Sequence, residues 1–175
     1  MTAGAATQGL HLARWTCTSG SNTQSRGAVV VESAGHRWEA SAEGNGPVDA
    51  LFRAVDAAMR DVLTGHPQLI AYDVHAMSGG TDAVGRVTVE IAPPAAAEGA
   101  RGAGRYEGES KSANIIAASV EAYIEAIDRM LAEEHWAGAA EEAGRRRGRG
   151  KATDGPGAEF DKEAARHDTT AWFER

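Results

Sequence analysis

The sequence predicts an α+β fold made of two pseudo-symmetric units, each consisting of three strands followed by one helix. Apolar residues recur at helical spacing in residues 47–63 and again in residues 113–135. Three short segments of strand character precede each of these helices. The helices also match in sequence, since Ala-Val-Asp at residues 54–56 corresponds to Ala-Ile-Asp at residues 126–128. Because either unit alone would expose a sheet face, we expect the two to pack together, with both helices on one face of an antiparallel sheet.

The first unit begins with residues 10–18, which alternate roughly as a strand does, and a polar loop is predicted at residues 19–26. Residues 27–33 contain a run of valines and form the next predicted strand, and a hairpin turn leads to a third strand at residues 37–42. The helix at residues 47–63 starts with a proline, whose missing N–H costs nothing at the first helical position.

The second unit repeats this order. Strands are predicted at residues 69–77 and 85–92, joined by a glycine-rich turn at residues 78–84. Residues 93–104 are mostly Ala, Gly and Pro, a composition typical of a loop, and the last strand is predicted at residues 105–109. The second helix follows it.

The connection between the third strand and the first helix has the sequence Gly44-Asn45-Gly46-Pro47. A helix N-terminus reached by a glycine loop can bind a carboxylate or a phosphate, because its amides point outward and its dipole is positive there. The alternative is a tight strand-to-helix connection that binds nothing. This short stretch alone favours the alternative, since short glycine motifs recur by chance.

Three separated stretches of the chain resemble the C-terminal regulatory domain shared by α-isopropylmalate synthase and citramalate synthase. They are Gly-Asn-Gly-Pro-Val-Asp-Ala at residues 44–50, Tyr-Asp-Val-His-Ala-Met-Ser-Gly-Gly-Thr-Asp-Ala at residues 72–83 with Gly-Arg-Val-Thr-Val at residues 85–89, and Tyr-x-Gly at residues 106–108 with Ile-Ile-Ala-Ala-Ser at residues 115–119. The resemblance covers residues 11–132. Two departures are that Asn114 stands where family members usually carry Asp, and that the catalytic barrel preceding the domain in those enzymes is missing.

The resemblance implies a stand-alone regulatory domain that dimerises and binds a branched-chain amino acid or a related small acid, such as a 2-oxo acid. In relatives the effector is leucine, or isoleucine in citramalate synthases. The residues expected to bind the ligand are Gly44, Asn45, Gly46, Val48, Leu69, Tyr72, Ala76, Asp82, Ala83 and Gly85. The helix N-terminus would take the carboxylate, and Asp82 or another acid would take the ammonium. A separate catalytic chain of branched-chain amino-acid or related metabolism is the expected partner.

Residues for catalysis are few. His75 with Asp73 and Asp82 forms the one candidate acid–base or metal cluster, and it is a weak one, because a lone histidine on a strand is more often a packed or hydrogen-bonded residue. The sequence has no Cys-x-x-Cys and no His-x-x-x-His, so we expect no metal, no cofactor and no catalysis by the chain itself. Two alternatives remain open: a repurposed scaffold that acts as a small enzyme on a metabolite in a specialised pathway, and a pure interaction protein that uses its tail.

Composition favours a cytoplasmic protein without nucleic-acid or membrane partners. The formal charge is −7 at pH 7, which disfavours a nucleic-acid surface for the protein as a whole. Cys17 is the only cysteine, which suits a reducing compartment. No signal pattern is seen at the N-terminus, and no apolar run approaches the roughly 18 residues that span a bilayer.

Three parts of the chain are predicted. Residues 1–10 are small and polar and are expected to be a flexible N-terminus. Residues 11–135 form the regulatory domain. Residues 136–175 form a low-complexity charged tail, expected to be disordered. Within the domain, residues 28–31 are apolar or small on both faces of their strand, as in a strand buried on both sides, and this pattern predicts a homodimer.

Overall fold

The computed structural model describes residues 9–63, 65–94 and 104–132, and this part of the chain forms six strands and two helices. The elements in chain order are β1 (His11–Gly20), β2 (Thr23–Ser33), β3 (His36–Gly44), α1 (Pro47–Ala58), β4 (Gln68–Ala76), β5 (Gly85–Ala92), β6 (Tyr106–Ser112) and α2 (Ile115–Leu131). The charged tail predicted at residues 136–175 and most of the flexible segment predicted at residues 1–10 lie outside the described residues.

The predicted α+β class and its two strand-strand-strand-helix units are confirmed. The strands form two antiparallel sheets, ordered β1-β2-β3 and β4-β5-β6, and each sheet is followed in the chain by its own helix. Helix α1 packs on β2 and β3, and helix α2 packs on β5 and β6. The helices also contact each other, and α2 reaches β1 of the other unit. The two units therefore share one interior, as the sequence predicts.

That interior is a single apolar cluster built from one face of each sheet and one stripe of each helix. Its largest fully buried side chains include Trp38, Leu51, Ile91, Ile124 and Ile127. Strand β5 shows the alternation most clearly, because every second residue from Gly85 to Ile91 is buried. Burying an aliphatic side chain of this size stabilises a fold by about 1.5–3 kcal/mol. The shared cluster therefore makes the two units depend on each other for stability.

Strand β2 is buried on both faces within this one chain. Val29 and Val31 belong to the shared core, while Ala28 and Val30 are buried on the opposite face. The sequence pattern of this strand was the basis for predicting a partner surface, but the chain covers these residues itself. The exposed apolar surface lies elsewhere, on β4.

Among the element boundaries that differ from the sequence prediction, two have a clear physical reason. Helix α1 ends at Ala58 rather than near Leu63, and the residues after it form hydrogen-bonded turns in which Met59, Val62 and Leu63 remain buried. Strand β2 starts at Thr23, inside the predicted polar loop, because its ladder with β1 continues through exposed positions that tolerate polar side chains.

In both units a glycine lets the helix lie directly on the third strand. A Cβ atom on Gly44 would overlap the backbone N of Ala50, and a Cβ on Gly108 would overlap the backbone O of Ala122. These are contacts with main-chain atoms, which cannot move aside as the end of a flexible side chain can. The two glycines therefore set how closely α1 approaches β3 and how closely α2 approaches β6.

We expect Gly108→Ala to destabilise the fold by about 3 kcal/mol or more, because overpacking against the helix backbone lies at or above the upper end of what such insertions cost. Gly79→Ala is the matched control, since a Cβ there meets nothing within 4 Å. Urea unfolding of both variants would measure the difference. Equal midpoints for the two variants would contradict the close packing of α2 on β6.

Candidate functional site

The turn between β3 and α1 leaves the helix N-terminus without a side-chain cap. Gly46 occupies the N-cap position in an extended conformation, Pro47 is the first helical residue, and no side chain accepts from the first amides. Helix α2 differs, because the Asn114 side chain accepts from the backbone N–H of Ile116 and Ala117. A Cβ on Gly46 would meet nothing within 4 Å, so the space beside the α1 N-terminus is open within the described part of the chain.

A carboxylate of the chain itself already lies at this turn. The backbone N–H of Asn45 donates to Asp49 Oδ2 over 2.9 Å, and Arg53 Nε donates to the same carboxylate over 3.1 Å. The hydrogen bond from Asn45 is the main cause that lowers the pKa of Asp49, and Arg53 acts in the same direction. The turn is thus an environment that favours negative charge, as the sequence predicts for a helix N-terminus.

Strand β4 presents exposed apolar side chains on the face that the helices cover elsewhere. Leu69, Tyr72 and Val74 lie opposite Ile91, Val89 and Val87 of β5, which are completely buried. On β4 the same face is open, and these three side chains are 50, 38 and 40% exposed. Helix α2 covers β5 and β6 and stops short of β4, so this edge of the sheet keeps an uncovered aliphatic strip.

An aromatic cluster connects this strip to both helices. The Phe52 ring meets Tyr72 edge-on at a centroid distance of 6.1 Å and stacks on Tyr123 at 4.3 Å. The Tyr72 hydroxyl hydrogen-bonds Ser119 Oγ over 2.8 Å, and Ser119 in turn donates to the backbone O of Ile115. Tyr72 is therefore held by α1 on one side and by α2 on the other.

Below this cluster, a buried polar bond joins the two helices. The Tyr123 hydroxyl donates to Asp56 Oδ1 over 2.6 Å, and His66 Nδ1 lies 3.9 Å from the other carboxylate oxygen. Burial raises the pKa of Asp56, while the hydrogen bond from Tyr123 opposes that rise. Burial and the charge of Asp56 raise the pKa of Tyr123. Sequence reasoning matched Asp56 to Asp128 as repeat positions without assigning a role to either.

The carboxylate at the matching repeat position, Asp128 of α2, accepts a hydrogen bond from the backbone N–H of Leu10 over 2.7 Å. A Cβ on Gly9 would lie 2.8 Å from Asp128 Oδ2, so the chain before β1 also runs close against this side chain. Both repeated acids thus tie a helix to a distant part of the chain. An acid within an otherwise apolar helix face was the sequence signal for such a role.

The residues expected to bind a ligand fall into two groups. Gly44, Asn45, Gly46 and Val48 lie at the β3–α1 turn and the first turn of α1. Leu69, Tyr72 and Ala76 lie on β4, while Asp82, Ala83 and Gly85 belong to the following turn or the start of β5. The ring contact between Phe52 and Tyr72 connects the groups. Val48 precedes Phe52 by four residues and so lies one helical turn nearer the N-terminus on the same side.

Two of the three weak catalytic candidates lie apart from this arrangement. Asp73 and His75 are exposed on the face of β4 that points away from the helices, opposite Thr88 and Arg86. Asp82 lies in the exposed turn after β4. Among the residues described, no group of three or more His, Cys, Asp or Glu side chains could hold a metal ion. None of the helices described is both long and apolar enough to cross a membrane.

The described residues thus form two strand-strand-strand-helix units around one core, and they leave apolar side chains of the edge strand β4 exposed. The profile of the LeuA allosteric (dimerisation) domain matches residues 1–131, and the chain belongs to this family. The resemblance found in the sequence is therefore confirmed.

Individual relatives agree with this assignment. The chain is 37% identical over 126 residues to a protein of Methanoculleus marisnigri named "Putative (R)-citramalate synthase CimA", a match that covers 72% of this chain and 23% of that protein. A protein of the same name from Methanopyrus kandleri is 33% identical over 118 residues, 67% of this chain and 22% of the relative. A 2-isopropylmalate synthase of Salinibacter ruber is 37% identical over 102 residues, 58% of this chain and 16% of the relative. The chain thus spans less than a quarter of the length of these relatives.

We expect Tyr123→Phe to destabilise the protein by about 1–3 kcal/mol near neutral pH, because Asp56 keeps its buried charge but loses its hydrogen-bond donor. A carboxyl whose pKa is raised on folding binds more protons folded than unfolded, so its contribution to stability falls as pH rises through that interval. The variant removes the bond that limits this rise. Its deficit relative to wild type should therefore be larger at about pH 7.5 than at about pH 4.5 in denaturant titrations.

Asp56→Asn provides the control background. An amide does not lose a proton, so Tyr123→Phe in that background should cost the same free energy at both pH values. A deficit of the single variant that does not change with pH would show that the buried charge of Asp56 is not what the hydroxyl stabilises.

Proposed function

We propose that this chain is a ligand-binding regulatory domain that dimerises and binds a branched-chain amino acid or the related 2-oxo acid. The observation that carries the proposal is the uncapped N-terminus of α1 located one helical turn from the aromatic contact with β4. A carboxylate binds favourably at such an N-terminus, and the exposed aliphatic strip of β4 offers apolar contact for a branched side chain.

The two ends of the ligand would make different contacts. The carboxylate would approach the open space beside Gly46, where a Cβ meets nothing within 4 Å. The branched side chain would lie between Val48 and the side chains of Leu69, Tyr72 and Ala76. Asp82 is the proposed acceptor for the ammonium group, and a 2-oxo acid would bind without that contact. The Asp49 carboxylate already accepts from Asn45 N–H, so the ligand carboxylate would have to bind the other amides of the turn.

Dimerisation follows from the exposed surface and from the family. Among the described residues, seven large apolar side chains are exposed, on β4, in the turn after it, or at the start of α2: Leu69, Ile70, Tyr72, Val74, Met77, Val84 and Ile115. A contiguous apolar patch of this kind is uncommon on a soluble monomer, and the family is described as a dimerisation domain. The proposed arrangement is a homodimer that buries this patch.

Regulation would then act on catalysis carried out by another part of the assembly. The relatives that share this domain are named as synthases, and the match covers 16–23% of their length. A separate catalytic chain, acting in branched-chain amino-acid or related metabolism, is the proposed partner. Binding of the effector to the dimer would bias the conformation of that partner through their contact.

We expect the purified chain to be a dimer at micromolar concentration, with a mass about twice 18.3 kDa in multi-angle light scattering. Val74→Lys, which puts a charge into the apolar patch of β4, should shift the protein toward the monomer because burying that charge is unfavourable. Thr16→Lys on the exposed part of β1 is the control and should leave the mass unchanged. A monomeric wild type would refute the proposed dimer.

We expect leucine, isoleucine, valine or one of their 2-oxo acids to raise the melting temperature at millimolar concentration, since a ligand that binds only the folded state stabilises it. Gly46→Val should abolish this shift by filling the space beside the α1 N-terminus, and the unliganded variant should fold because that space is open. Thr16→Val adds the same side chain on exposed β1 and should keep the full shift. If none of the six compounds stabilises the wild type, the sensor proposal fails.

A further inference from the structure

We infer that β4 pairs antiparallel with β4 of a second copy of this chain, around a two-fold axis at Val74. This inference rests on the proposed homodimer and deepens it, because it names the strand, the register and the residues that meet. It concerns the edge of the second sheet, ordered β4-β5-β6. An edge strand carries a row of unpaired N–H and C=O groups that can pair with another chain.

The opposite edge of this sheet is closed by side chains of α2. On β6, the backbone N–H of Glu109 donates to Glu125 Oε2 over 2.8 Å. The backbone O of Glu107 accepts from Arg129 Nη1 over 2.7 Å. These groups already have partners, and the side chains that supply them stand where an added strand would lie. Pairing with a second copy at β6 would have to displace these contacts, and no side chain of the described residues makes such a contact with the backbone of β4.

The edge at β4 has the opposite character. Each residue of β4 except Ala71 is exposed, and four of the exposed side chains are large and apolar. The first sheet offers no comparable edge, since no large apolar side chain of β1 or β3 is among the exposed ones in the described residues. Apolar exposure and an unprotected edge thus coincide on a single strand, which is the usual mark of a strand that pairs with another chain.

Two polar side chains on the outer face of β4 select the register. Asp73 and His75 lie two residues apart on the face that points away from the helices, and neither makes a hydrogen bond or ion pair with another described residue. Pairing centred on Val74 places each Asp73 opposite the second copy's His75. An imidazole N–H can donate to a carboxylate, and the two-fold axis creates this contact twice.

Neighbouring registers lose this complementarity. A two-fold axis at Asp73 would place the two Asp73 carboxylates opposite each other, which is destabilising. An axis at His75 would pair the two imidazoles and leave Asp73 opposite the apolar Met77. An axis at Tyr72 would oppose two large rings and place Asp73 opposite Ala71. A shift by one residue would join the apolar face of one sheet to the polar face of the other.

The inner face gains a second complementarity in the same register. Centring on Val74 places Tyr72 directly opposite Ala76 of the second copy, a large side chain against a small one. Both residues belong to the ligand-binding set proposed for this domain. They lie four residues apart along one strand, about 13 Å in extended backbone, but directly opposite residues of paired strands are only about 5 Å apart. The proposed ligand site would therefore be completed by residues of both copies.

A disulfide across the axis tests the pairing. In a full-length Cys17→Ala background, Val74→Cys places two identical cysteines directly opposite each other, within the range of Cα distances that a disulfide requires. Mild oxidation should convert most of this variant into a covalent dimer on a non-reducing gel. Thr88→Cys, on the central strand β5, is the matched control and should stay uncrosslinked, because β4 and β6 separate it from the other copy.

An exchange of the side chains at positions 73 and 75 tests the register independently. His75→Asp opposes two carboxylates at each of two symmetric positions and should raise the dimer dissociation constant roughly tenfold. Asp73→His combined with His75→Asp restores the pair in reversed order and should return the constant to within about threefold of wild type. Sedimentation velocity over a dilution series measures all three proteins.

The outcomes separate this inference from the proposed dimer. A dimeric wild type whose Val74→Cys variant does not crosslink would overturn the β4 pairing and leave the dimer standing. Crosslinking without recovery in the swapped double variant would overturn the register given by Asp73 and His75. A monomeric wild type would overturn both. Crosslinking at Val74 together with recovery by the swap supports the pairing as stated.

Discussion

The close approach of α2 to β6 determines which surface of the second sheet stays open. Because Gly108 has no side chain, the backbone of α2 at Ala122 lies directly on the third strand. A helix about 10 Å wide that lies close to β6 reaches about 5 Å to either side of its axis, which extends to β5 but not to β4. It covers β5 and β6, and β4 keeps its apolar face exposed. Side chains of α2 also form hydrogen bonds with backbone groups at the β6 edge. The position of α2 therefore protects the β6 edge of the sheet and leaves the β4 edge exposed.

The buried bond between Asp56 and Tyr123 fixes how the two helices lie against each other. Apolar contacts alone would tolerate some sliding of α1 along α2, because they are not directional. A hydrogen bond of 2.6 Å to Asp56 does not tolerate such sliding, since a shift would leave a largely buried carboxylate without this donor. The stacked rings of Phe52 and Tyr123 lie beside this bond and carry the same constraint to Tyr72. The Asp56–Tyr123 hydrogen bond thus helps to fix the position of the exposed strand β4 through these rings.

The sequence predicted the parts of the fold that depend on local pattern. The alternation of β5 and the helical spacing of the two amphipathic segments identified both units and their order, and the shared interior followed from them. The end of α1 was harder to predict, because Met59, Val62 and Leu63 continue the apolar pattern beyond the last helical residue. The start of β2 was not predicted for the opposite reason, since its first residues, Thr23 and Gln24, are polar and exposed.

The candidate site shows the same division. The turn from Gly44 to Pro47 and the open helix N-terminus were predicted from residues that are adjacent in the chain. The exposure of β4 was not predicted, because its pattern of apolar residues resembles that of a covered strand. Only the position of α2 reveals that the described chain leaves these side chains partly exposed. Asp56 and Tyr123 are 67 residues apart, and no local pattern indicates that they meet. The binding of a ligand at this site remains a prediction.

The hydrogen bond from Leu10 to Asp128 gives the domain a mechanical property. It joins residues 118 positions apart, so the start of β1 is fastened to the last helix and not to a hinge. Gly9 passes close against the same carboxylate, which leaves little room for the chain to pivot there. A rotation of α2 would therefore act directly on the start of β1. Through Ser119 and Tyr123, the same helix holds the aromatic cluster beside β4. Helix α2 therefore contacts both the start of β1 and the exposed strand β4.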